Sequence, residues 1–172
     1  MAEIKGIRAF ADKVADYIAE ELEVQGHVID PNGLAGDIEQ KIIQRAGSVE
    51  LQFWMRHYAK YVEMGVPAEK IKHKFAPARI KGLTSFVERR GIASGKEAKG
   101  IAYAIAQKHA DYGMPTAKSR KHSQTGRRTG FLEAMAKRHS GDIDDALLIL
   151  FGDMIDNDMV NIIRENNAKG NN

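Results

Sequence analysis

The chain has no cysteine, only four prolines and one tryptophan, and no apolar run near the roughly 18 residues a membrane span needs. Without cysteine there is no disulfide framework, Cys-ligated zinc module, thiol nucleophile or iron–sulfur cluster, which fits a reducing compartment. Glu3 and Lys5 place charges where a secretory signal would be apolar. A soluble, intracellular product with no membrane association is expected. Catalytic signatures are also missing. Gly91-Ile92-Ala93-Ser94-Gly95-Lys96-Glu97 is one residue short of a phosphate-binding loop and sets Glu97 where a hydroxyl must hold magnesium. The six histidines form no pair at metal-ligand spacing, and no Gly-x-Ser-x-Gly turn marks a nucleophile. Asp153, Asp156 and Asp158 lack the central glycine and closing glutamate of a calcium loop. The expectation is a non-enzyme with no catalytic residue, metal or cofactor.

What is present is ordinary globular composition, 43% apolar and 28% charged, in 172 residues. That length suits one domain and can bury about 70% of the unfolded surface. Charge is uneven. Residues 1–30 hold three basic and seven acidic side chains, 69–138 hold seventeen and five, and 139–165 hold one and seven, giving −4, +12 and −6 around a total of only +3. A basic middle between acidic ends suits either a nucleic-acid surface or self-complementary contacts between copies. Solvated helix faces of differing sign are the plain alternative.

Periodicity places the elements. Ile4, Ile7, Ala11, Val14, Ile18 and Leu22 step by three and four, predicting an amphipathic helix that ends near Gly26. Asp30-Pro31 and Asn32-Gly33 are turn formers, so 27–33 reads as a connection. Val49, Leu51, Phe53 and Met55 then alternate with polar residues and Trp54, predicting a strand with one core face. Residues 38–45 can pair with it antiparallel through Ala46-Gly47-Ser48, making a hairpin. A short Tyr58–Met64 segment and a break at Gly65-Val66-Pro67 lead into a lysine-rich loop. Pro77 opens a helix over 78–90 with Ile80, Leu83, Phe86 and Val87 on one face and Gly91 as its stop. Ser94 and Glu97 match a capping box for a helix striped by Ala98, Ile101, Ala102, Ile105 and Ala106 and ended by Gly113-Met114-Pro115.

Residues 115–130 contain no acid and five cations, Lys118, Arg120, Lys121, Arg127 and Arg128, and read as an exposed loop. Phe131–Arg138 reads as a short helix, and Ser140 can cap a last one over about 141–164 with Asp142, Asp144 and Asp145 in its first turn. Leu147 to Phe151 is apolar nearly all round, which predicts burial in the fold or in an oligomer contact. A single domain over 1–165, with a basic loop at 113–130 and a flexible 166–172 tail, is the expected organisation.

The order just traced resembles a known family. The segment Tyr58-Ala59-Lys60-Tyr61-Val62-Glu63-Met64-Gly65-Val66-Pro67, the helix closing on Val87-Glu88-Arg89-Arg90-Gly91-Ile92, and Ala98 to Ala106 followed by Gly113-Met114-Pro115-Thr116 are similar to the tail-completion (head-to-tail joining) proteins of tailed bacteriophages. The resemblance spans roughly residues 4–165. It implies an α+β fold, a small antiparallel hairpin sheet flanked by helices with a helix-rich C-terminal half. It further implies a structural virion protein, made in the host cytoplasm, forming a homo-oligomeric ring in the neck. Such a ring would meet neighbouring neck, portal or tail proteins and leave a lumen for DNA without sequence-specific binding. On this reading Lys118, Arg120, Lys121, Arg127 and Arg128, with Tyr58 and Tyr61, dock a partner, and Asp142, Asp144, Asp145, Asp153, Asp156 and Asp158 offer the acidic complement. Reversing Arg127 and Arg128 to Glu should then block assembly and spare the folded monomer. The alternative is a small basic DNA-binding protein using 118–128 on phosphates.

Overall fold

A computed structural model describes residues 2–27, 34–45 and 48–169. The fold is α+β: one antiparallel hairpin, with helices before and after it and a helical C-terminal half. The elements are α1 (Ala2–Val24), β1 (Glu39–Arg45), β2 (Ser48–Trp54), α2 (Ala59–Met64), α3 (Pro77–Arg89), α4 (Gly95–Tyr112), α5 (Phe131–Arg138) and α6 (Ser140–Lys169). Short 3-10 turns occupy Ala35–Asp37, Ala68–Lys70 and Ala117–His122. The expected connection over 28–33 and the hairpin turn at Ala46-Gly47 lie outside the described residues. So does the end of the expected tail, although helix α6 itself runs to Lys169, past the anticipated stop near 164. Within the expected 1–165 domain the chain groups into two compact units.

The first unit holds α1, the hairpin, α5 and α6. The predicted stripe of α1 is its core: Ile7, Ala11, Ile18 and Leu22 are buried, as are Leu34, Phe131 and Met135. Each large side chain withdrawn from water stabilises by about 1.5–3 kcal/mol. Glu21 would be costly there alone, but Arg138 on α5 reaches its carboxylate at 3.1 Å. His139 marks the corner between α5 and α6, its N–H donating to the Met135 carbonyl while its own carbonyl accepts from the Ile143 N–H. Its ring stacks on Tyr17 of α1 at 3.8 Å between centroids, and Tyr17 Oη donates to Asp142. The hairpin pairs Ile42 with Leu51 and Gln40 with Phe53; of the expected core face Leu51, Phe53 and Met55 are half-buried but Val49 is exposed, as is Trp54 on the opposite side. Two strands alone are marginal in water, and their apolar face is backed by α1 and α6, where Val49 and Leu51 line a groove with Ile7, Phe10 and Leu150.

The second unit holds Val24–His27 and His57–Gly130. Helices α3 and α4 pack through Ile80, Leu83, Ala102 and Ala106, the small alanines letting the axes approach. One member of the predicted α3 face departs: Phe86 is exposed, with the Arg90 guanidinium 5.5 Å over its ring. Helix α4 begins where the capping box predicts, yet Ser94 makes no side-chain cap bond. Glu88 of α3 accepts from the Gly95 N–H at 3.2 Å instead. An isolated antiparallel bridge joins Val66 to Met114 through two 2.7 Å bonds. Gly65 and Gly113 precede the two bridged residues with φ of 71° and 77°. A Cβ on either would press on the opposite backbone oxygen, at 2.7 Å from Met114 O and 2.6 Å from Val66 O.

Candidate functional site

The basic segment is less free than its composition implies. A 3-10 turn over Ala117–His122 shapes it, and the Gln124 N–H donates to the Val24 carbonyl at 2.9 Å. Gly26, at φ 76°, lies so close that a Cβ would meet the His122 carbonyl. Arg128 turns inward and is half-buried: Nη2 donates to Gly26 O at 3.1 Å and Nη1 to Ser119 O at 3.4 Å. Burial and, next, the nearby Arg90 charge lower its pKa from the usual guanidinium range. Lys118, Arg120, Lys121 and Arg127 are exposed and form no ion pair among the described residues. Of the five cations named from sequence, four therefore face solvent and one braces the fold.

Tyr58 and Tyr61 do not join that cluster. They line an open groove of about 750 Å³ in the second unit, with Val66, Ile71 and Met114 as apolar walls. Its charges come from Lys70, Lys72 and Arg79, with His73 beside them, and no carboxylate lines it. The tyrosines and the lysine-rich loop, separate features in the sequence, thus line one groove, to which the Val66–Met114 bridge contributes both its residues. Behind the groove, Arg79 Nη2 lies 3.3 Å from His109 Nδ1. Burial first, then the Arg79 charge, hold His109 below its ordinary range, so the neutral ring accepts from the guanidinium. Such a groove suits an anionic partner with some apolar surface.

The acidic residues all fall on α6, but not on one face. At 3.6 residues per turn, Asp144 and Asp158 fall well round the helix from Asp142 and Asp153. Asp142 is engaged by Tyr17 and lies 3.7 Å from His139, whereas Asp153, Asp156 and Asp158 are exposed. The apolar run is the larger surprise. Leu147, Leu150, Phe151 and Met154, with Asp158, line the groove toward α1 and the hairpin, but Phe151 stays more than half exposed and the fold does not bury the rest. Leu148, Phe151, Ile155, Met159, Ile162 and Ile163 are each more than half exposed. Burial in the fold, one of the two expectations, does not occur for this stripe.

Among the described residues no group of three or more His, Asp or Glu is placed to hold a metal ion, and no described helix is long and apolar enough to cross a membrane. No family model matches the chain, and neither a search of curated proteins nor one of solved structures finds a match.

Proposed function

We propose that this chain is a structural subunit of a tailed bacteriophage, forming a homo-oligomeric ring in the virion neck between the portal side and the tail, with a channel for DNA. The observation that carries the reading is the exposed stripe of α6, four turns of apolar side chain on a protein with no membrane-length helix among its described residues. A patch of that kind marks an association surface. Segments of +12 and −6 on one copy give charges of opposite sign for the two unlike surfaces that a head-to-tail ring contact requires. The residue order similar to tail-completion proteins points to the neck in particular. The subunit's work is then mechanical, and its parts are docking surfaces.

Light scattering with negative-stain electron microscopy on concentrated protein tests this. Closed rings with a central hole are expected, and a chain that stays monomeric up to millimolar concentration sinks the reading. The exposed Lys118, Arg120, Lys121 and Arg127 favour a second reading, phosphate binding. It predicts duplex DNA affinity falling with log salt at a slope of about −3.6 for four contacts.

A further inference from the structure

The acid-flanked stripe of α6 and the basic tyrosine groove are complementary. We propose that they meet between copies, the stripe around Ile155 and Met159 of one subunit seating in the Tyr58/Tyr61 groove of the next. This rests on the assembly reading and names the contact through which copies join.

Phe151, Ile155, Met159 and Ile162 are spaced by four, four and three residues, so they keep to one side of the helix over about 16 Å. The same periodicity puts Asp156 on one flank of that stripe and Asp158 on the other. From Leu148 to Ile163 the helix carries three aspartates and no base. Pairing two copies of α6 with each other would set acid beside acid. The groove offers the opposite: Lys70, Lys72, His73 and Arg79 around tyrosine and aliphatic walls, with no carboxylate in the lining. A convex apolar stripe with two acidic margins thus meets a concave apolar groove with basic margins. The desolvated centre supplies the affinity, and the charges fix the register. Because the two surfaces differ, a subunit that docks by one keeps the other free, so a growing assembly always ends in one free stripe and one free groove, which is what lets a ring grow and close.

Two variants of the full chain test it. Ile155→Asp with Met159→Asp disables the stripe, and Lys70→Glu with Lys72→Glu disables the groove. All four positions are exposed, so circular dichroism and melting should match the parent. Each variant alone should run as a monomer in light scattering. An equimolar mixture should give a species of twice the 19.1 kDa chain mass and nothing larger, one intact stripe having met one intact groove. A groove variant that still assembles while the stripe variant does not overturns the inference in favour of α6 self-pairing. Two variants that both assemble like the parent overturn it and leave the ring reading standing; a parent that never assembles overturns both. Loss of DNA binding by the groove variant, with its assembly intact, assigns the groove to nucleic acid and overturns the contact.

Discussion

Arg127 and Arg128 are neighbours in the chain with opposite surroundings, one in solvent and the other bonded to the carbonyls of Gly26 and Ser119. Arg127→Glu should leave stability within about 0.5 kcal/mol of the parent in urea unfolding. Arg128→Glu should cost about 2–3 kcal/mol, because it removes charge-assisted bonds and strands two acceptors. The double reversal drawn from sequence therefore mixes docking with folding, and only Arg127 isolates docking. His27 and His109 give a second residue-scale expectation. Burial is the leading cause that lowers both pKa values, with the Arg128 and Arg79 charges adding to it. As pH falls through the ordinary imidazole range, the unfolded chain takes up protons before the folded one. Stability is then full above about pH 7 and declines as pH falls toward 5. Melting temperature against pH should show that decline, and His109→Gln should flatten it. Nothing in the local sequence told Arg128 from its four basic neighbours. Its partner Gly26 is about a hundred residues away in the chain.

Helix α4 shows how far an element can be argued from its own residues. Gly100 lies mid-helix, where a Cβ would meet nothing within 4 Å, whereas Gly113 ends the helix at positive φ against the Val66 carbonyl. Gly100→Ala should stabilise by about 0.5–1 kcal/mol, and Gly113→Ala should destabilise by more than about 1 kcal/mol, both read from thermal or urea unfolding. Strongly periodic elements were legible in the sequence. The α1 stripe and the alanine face of α4 formed where their spacing put them, because the burying partner lies on a face the pattern itself defines; the hairpin formed too, but Val49 on its apolar face is exposed. What failed was chemistry with two possible suppliers. The Ser94 box was a sound local reading, but Glu88 from the preceding helix reached the Gly95 N–H. Phe86 was assigned to the core by spacing alone, yet its position on α3 faces Arg90 and solvent.

At the scale of the molecule, the segment charges of +12 and −6 were readable by counting, and so was the apolar excess of the last helix. The sequence could not choose between burial in the fold and burial in an assembly, because both demand the same residues. The structure leaves Leu148 to Ile163 largely uncovered and brings Tyr58 and Tyr61 together with cations 9 to 21 residues further along the chain. Every described side chain from Ile155 to Asn167 is exposed, so that length of α6 is helical with no core of its own to rest on. Helices of about 12–15 residues are marginal in water without a packed face. The free subunit should therefore hold this end only loosely, and amide hydrogens there should exchange quickly until a neighbour covers it. Docking then includes the cost of ordering the helix, which weakens each single contact relative to its area. A subunit held by one such contact can leave again, while one held on both sides stays, and the growing assembly can discard its own errors before it closes.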